Sequence, residues 1–268
     1  MSKIIYAGRS FMELLLALAI GLVPVGMGLM AMLHQQKKTL AEHSHSSVQE
    51  AIFAIDRSLE RLHAAANSAL ALAGTPCEEV RATLLKQVDI TEGLRSLALQ
   101  EKRHTYCNTL GTPTYHDAYF ADAQVPLQLI FDTPATPGRV ILSYQVRHDD
   151  SSAIATTYAT QLRNELHRFQ GGLTVLIEFG DSYLWALGDS RDAERPSQAE
   201  HVEAGVSKQY GYTVKAGYAQ GFSAREARQA TMQTLPSLVL VGIATGSIFY
   251  WAVFRRRGIP QGNAANQA

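Results

Sequence analysis

Two stretches, Leu14–Leu33 and Leu235–Phe254, each run for 20 residues without a charged side chain. Wound as helices rising about 1.5 Å per residue, each covers about 30 Å, the thickness of a bilayer's hydrocarbon core. A helix apolar all round is either a membrane span or a buried core helix, and core helices rarely stay wholly apolar beyond about 14 residues. The chain is therefore expected to cross a membrane twice, which confines any folded domain to the 201 residues between the spans, 34–234.

Charge placement orients the spans. Lys3 and Arg9 precede the first, Arg255, Arg256 and Arg257 follow the second, and basic residues accumulate on the cytoplasmic side. Lys37 and Lys38 pull the other way but are outnumbered. The expected layout is a cytoplasmic N-terminus at 1–10, a first span at 11–33, an external domain at 34–234, a second span at 235–254 and a cytoplasmic tail at 255–268. The first apolar run is longer than a signal peptide's and no clear small-x-small cleavage site follows it, so it is expected to stay as a span. Within the second, Gly242 and Gly246 form a small-xxx-small motif through which two copies of this span could approach closely.

The segment 34–234 carries 19 Lys and Arg against 23 Asp and Glu, a mildly acidic balance that argues against nucleic acid as a partner. It also holds both cysteines, Cys77 and Cys107. Outside the cytoplasm such a pair is expected to oxidise to a disulfide. Closing that loop stabilises the fold by about 3.7 kcal/mol in the chain-entropy model. The bond can serve as an inert staple or as a switch, and the residues alone leave both readings open.

From Val48 through Ile52, Ile55, Leu59, Leu62 and Ala66 to Leu70, apolar residues recur every three or four positions, which predicts a long helix ending at Gly74. Its stripe suits either a dimeric coiled coil or packing on the domain's own sheet. A short helix over 78–87 with Val80, Leu84 and Leu85 inward, and strands over 94–100, 104–110, 127–131 and 140–146, are expected next, with the Pro134 and Pro137 loop between the last two. A helix starting at Asp150 or Ser151 would bury Ile154, Tyr158, Leu162, Leu166 and Phe169. Leu173–Phe179 and Tyr183–Leu187 make a hairpin about Gly180-Asp181, followed by a polar, mobile loop over 188–197 and a strand over 210–218. Ser223 and Glu226 form a capping box that opens the exit helix. The fold class is α+β: one antiparallel PAS-like or Cache-like sheet with its helices on one side, flanked by the spans.

Catalytic signatures are missing: the sequence has no Gly-x-Ser-x-Gly, phosphate loop or His-Glu-x-x-His. His43 and His45 form an HxH that more often sits on a solvated helix than on a metal. His104, three residues before Cys107, would activate a free thiolate, which the expected disulfide removes. The acid pairs Glu78-Glu79 and Asp149-Asp150 lie near expected helix starts, where they complement the dipole. No cofactor, metal or catalytic residue is expected.

The segments Gly74-Thr75-Pro76-Cys77, Gly93-Leu94-Arg95-Ser96-Leu97 and Tyr106-Cys107-Asn108-Thr109 with Gly111 resemble, in order, spacing and position between two spans, the CSS-motif sensor domain of bacterial cyclic-di-GMP phosphodiesterases of the EAL type. The likeness covers residues 1 to about 254. Asn108 and Thr109 stand where that family has two serines, so only Thr109 keeps a hydroxyl. The resemblance implies an inner-membrane sensor in which the redox state of Cys77 and Cys107, with Pro76, Asn108, Thr109 and Gly111 around them, gates output across the membrane. It implies the periplasmic thiol-oxidation machinery as a partner, and a homodimer or a mixed dimer with an EAL-domain homologue. Only 14 residues follow Phe254 and no Glu-Ala-Leu metal motif is present, so no enzyme activity of its own is expected. Two other readings remain at this point: a truncated remnant of a phosphodiesterase, and a periplasmic ligand-binding module whose disulfide is purely structural.

Overall fold

The computed structural model describes residues 2–111, 126–133, 136–169 and 171–254. Arg255–Arg257, the remaining tail and Pro134 lie outside the described residues. Two compact units are present, one of residues 1–40 with 221–268 and one of residues 41–220.

The first unit contains the start of α1 (Ser2–Leu70) and all of α4 (Phe222–Phe254). Both helices are long and apolar enough to cross a membrane. Their backbones meet at glycines: a Cβ on Gly242 would lie 2.7 Å from the Gly21 carbonyl oxygen, and one on Gly246 would lie 3.0 Å from that of Ala17. The small-xxx-small motif thus faces the chain's own first apolar helix.

The second unit is built on the other end of α1. Its buried residues Val48, Ala51, Ile55, Leu59, Leu62, Ala66 and Ala69 follow the predicted stripe, and Ile52 and Leu70 sit at its edge, half-buried. The stripe packs on the unit's own strands. A Cβ on Gly205 would come within 2.8 Å of both Val48 and Ile52, so only glycine lets β8 (Glu200–Val206) lie this close. Polar groups secure the same contact. The Tyr212 hydroxyl donates to Asp56 at 2.7 Å and Ser207 Oγ does so at 2.8 Å, while Glu60 accepts from Gln209 at 2.8 Å and from Tyr210 at 3.0 Å. The bonds from Gln209 and Tyr210 hold the Glu60 carboxyl below its usual range. Burial first, and the Asp56 carboxylate second, push the Tyr212 phenol far above its own.

The α+β class stands, but the strands divide between two antiparallel sheets rather than forming one. The five-stranded sheet runs β2 (His104–Asn108), β1 (Ser96–Glu101), β5 (Ser151–Tyr158), β4 (Thr136–His148), β3 (Leu127–Thr133). The four-stranded sheet runs β7 (Ser182–Trp185), β6 (Leu173–Phe179), β9 (Thr213–Tyr218), β8. In sequence α2 (Cys77–Ile90) follows α1 and precedes β1, and α3 (Ala159–Leu166) joins β5 of the first sheet to β6 of the second.

Three local expectations are corrected. Ser151–Tyr158 is β5 and not the first half of a helix; only Ala159–Leu166 is helical. Ile154 and Tyr158 are four apart, which puts them on one face of a helix and equally on one face of a strand. Because β5 lies between β1 and β4 and is covered on both faces, its burial shows no alternation to mark it as a strand. Leu85 is 45% exposed, and α2 packs inward through Val80 and Leu84 alone. The 188–197 loop is anchored, since Asp189 is buried and ion-paired. The edge strand β8 had no counterpart among the expected elements.

Candidate functional site at the Cys77–Cys107 disulfide

Cys77 and Cys107 are joined, with Cα atoms 5.1 Å apart. Local chemistry brings them there. After α1, Gly74 adopts φ +87°, a conformation that costs glycine little, and its N–H donates to the Tyr106 hydroxyl at 3.0 Å. That bond pins the α1–α2 turn to β2. Pro76 then caps α2 with φ −54°, so Cys77 is the first helical residue, and Glu78 and Glu79 put negative charge against the helix's positive end. The partner sulfur comes from the β1–β2 hairpin, where Lys102 (φ 46°) and Arg103 (φ 70°) form the two-residue left-handed turn that matches strand twist. Leu99 pairs with Cys107 across that hairpin.

The two sulfurs are not equivalent. Cys107 is buried, while Cys77 is half-buried on a cavity of about 80 Å³ lined by Arg81, Thr105, Tyr106, Asn108 and Gly111 together with both cysteines. An incoming thiolate would thus reach the bond most readily at Cys77.

Asn108 and Thr109 serve the hairpin's end. Asn108 Oδ1 accepts the Leu110 N–H at 2.5 Å, closing an Asx turn. Thr109 Oγ1 accepts the Leu97 N–H at 3.1 Å, and the Thr109 N–H donates to the Leu97 carbonyl at 3.0 Å. An amide and a hydroxyl at these positions therefore lock the strand exit beside the disulfide. Gly111 has φ +83°, and a Cβ there would lie 3.1 Å from Arg81 Nη2.

The second glycine motif has its own role. Gly93 has φ +82°, its carbonyl accepts the Thr157 hydroxyl at 2.6 Å, and a Cβ would sit 2.2 Å from Gln161 Oε1. Gly93→Ala is expected to lower stability by about 2 kcal/mol, from the left-handed backbone and the displaced Gln161. Thermal unfolding of the full chain checks this; an unchanged midpoint would show that the turn relaxes freely.

The remaining singled-out residues disperse. His43 Nδ1 pairs with the Tyr218 hydroxyl at 2.8 Å, and His45 lies 3.9 Å from Glu203, so the HxH does not converge on one point. Among the described residues no group of three or more His, Cys, Asp or Glu is arranged to hold a metal ion. His104 opens β2, and Asp149-Asp150 form the β4–β5 turn. Sequence reasoning missed Asp189 with its arginines, and the meeting of Arg95, Arg139 and Tyr158. For Arg95 the signal was its place inside the Gly93–Leu97 motif; for the others there was none.

Residues 40–231 match the family described as "CSS motif domain associated with EAL". No curated protein matches the chain. Among solved structures, an extracellular ligand binding receptor from Desulfohalobium retbaense aligns with a TM-score of 0.43 at 11% identity, over 69% of this chain and 40% of that one. The sensor domain of the V. cholerae histidine kinase DctB aligns with a TM-score of 0.32 at 9% identity, over 72% of this chain and 99% of that one. The chain spans about 40% of the length of the first of these structures.

Proposed function

Because the chain belongs to the family of CSS motif domains associated with EAL, we propose that it is an inner-membrane sensor whose external domain controls a cyclic-di-GMP phosphodiesterase partner through the Cys77–Cys107 disulfide. In this reading the domain lies in the periplasm, α1 and α4 cross the membrane, and catalysis resides in an EAL-domain homologue that associates with this chain. The observation that carries the redox element is the position of the bond. It ties the first residue of α2 to β2, next to the Gly74–Tyr106 contact that ends α1. Reducing it frees α2 from the hairpin and loosens the end of the helix that runs on into the first apolar stretch.

The test is thiol trapping of the full chain in cells with and without the periplasmic thiol-oxidation machinery, combined with phosphodiesterase output in cells carrying Cys77→Ser or Cys107→Ser. The expected result is a pair that is oxidised only when the machinery is present, and a changed output in both variants. A pair that stays oxidised regardless, with unaltered output, would reduce the bond to a staple.

A further inference from the structure

The five-stranded sheet has two unlike faces. On the side of α1, Leu142 and Thr157 line a small cavity with Leu59 and Leu62, and the Tyr144 hydroxyl pairs with His63 at 2.8 Å. Neighbouring strand residues point the other way. There Ala98, Ile130, Ile141 and Ile154 form an apolar cluster. It is bordered on one side by a closed amide–hydroxyl network, in which Gln145 Nε2 donates to Gln100 Oε1 at 3.1 Å and to Ser152 at 2.9 Å, and Gln100 Nε2 donates to Thr105 at 3.1 Å. It is bordered on the other by the Ser96–Thr156 hydroxyl pair at 2.6 Å.

Beyond that pair stands Tyr158, with the guanidiniums of both Arg95 and Arg139 at 5.4 Å from its ring centroid. Several other arginines of the domain find acids: Arg163 and Arg191 meet Asp189, Arg195 meets Glu178 and Arg61 meets Glu92. Among the described residues neither Arg95 nor Arg139 has a carboxylate partner, and Arg95 Nε is buried without a hydrogen-bond partner. A buried charged donor left unsatisfied is costly, and two like charges drawn to one ring add to that cost. A guanidinium's planar fork is matched by an anion with two coplanar oxygens.

We propose that this end of the sheet is a binding site for a small organic carboxylate. Arg95 and Arg139 hold the carboxylate over the edge of Tyr158, at the rim of the buried Ala98, Ile130, Ile141 and Ile154 cluster. The neutral network around Gln100 and Gln145 is already satisfied internally, so the site carries positive charge at one end only. That favours a compact acid over a zwitterion or a polyanion. The proposal rests on the sensor reading above and supplies its ligand class.

The test is calorimetric titration of the full chain in detergent with propionate, malonate and glutarate, against neutral malonamide and inorganic phosphate. At least one carboxylate should bind, malonamide should not, and Arg95→Gln or Arg139→Gln should weaken binding roughly tenfold or more. Arg139 is exposed, so Arg139→Gln is expected to fold with its disulfide intact even if Arg95→Gln does not. Arg139→Lys should restore part of the affinity. Binding of phosphate with none of the carboxylates, no binding by any of them, or full affinity in both glutamine variants would overturn the site. Such a failure beside a positive cysteine experiment leaves the redox reading intact; carboxylate binding with inert cysteines leaves the ligand site and removes the redox element.

Discussion

Asp189→Ala is expected to lower the stability of the domain by about 3 kcal/mol. Breaking a buried ion pair from one side costs about 3–5 kcal/mol, because the surviving charge stays out of water. The lower figure applies here because the partners are not fully enclosed: Asp189 is 3% exposed, but Arg163 is 24% and Arg191 is 34% exposed. The carboxylate accepts from Arg163 Nη2, and from Arg191 Nε at 2.8 Å and Nη2 at 2.9 Å. Arg191 continues to Asp132 at 2.8 Å and lies over the Phe131 ring, so one acid joins the loop after β7 to α3 and to β3. β3 and β7 belong to different sheets, and the variant should loosen the junction between them. Exposed Arg61, paired with an 88% exposed Glu92, should by contrast change stability by about 1 kcal/mol or less on Arg61→Ala. Denaturant unfolding followed by Trp185, which donates to Asp192 in the same loop, reads both variants. A loss below about 1 kcal/mol for Asp189→Ala would remove the network from the account of the fold.

The same network sets an acid limb. Burial pushes the Asp189 carboxyl up, but the bonds and charge of Arg191, with Arg163, outweigh it and hold it below its usual range. A depressed carboxyl contributes stability above its unfolded pKa of about 4, and loses it as the pH falls through the folded value. The gap between wild type and Asp189→Ala should therefore be full at neutral pH and close as the solution is acidified below about pH 4.

The second large effect belongs to the disulfide. The double variant Cys77→Ser, Cys107→Ser should lose about 3–4 kcal/mol, the loop-closure entropy returned to the unfolded chain by a separation of 30 residues. Wild-type protein under reducing conditions should unfold at the same denaturant concentration as the variant. Hydrogen exchange should show the loss concentrated in the first turn of α2 and at the Gly74 turn, because Val80 and Leu84 keep the rest of α2 packed while its first residue is released. Equal stability with and without the bond would leave it neither a staple nor a lever.

Several elements are legible in the sequence alone. The 173–185 hairpin was legible because its strands alternate about a Gly-Asp turn, and the 48–70 helix because one stripe persists for several turns. β5 was not, since a strand between two others and covered on both sides has no polar face to give it a period. β8 was hidden for the opposite reason: Glu200, His201 and Glu203 on an edge strand look like loop. Asp189 sat in a run of Gly, Asp, Ser and Arg that reads as solvent, and only its burial against Arg163 marks it as structural.

What composition and spacing determined alone is whatever is complete within a few turns of chain: two uncharged stretches of membrane length, one stripe on a long helix, and both cysteines between the stretches. Tertiary structure decided the division of strands into two sheets, the packing of the stripe on its own domain, and the meeting of Arg95 and Arg139 on Tyr158. Those outcomes depend on which distant strands exchange backbone hydrogen bonds, and each strand offers the same donors and acceptors to every possible neighbour. Local periodicity can specify the face of an element; only the packed whole selects its partner.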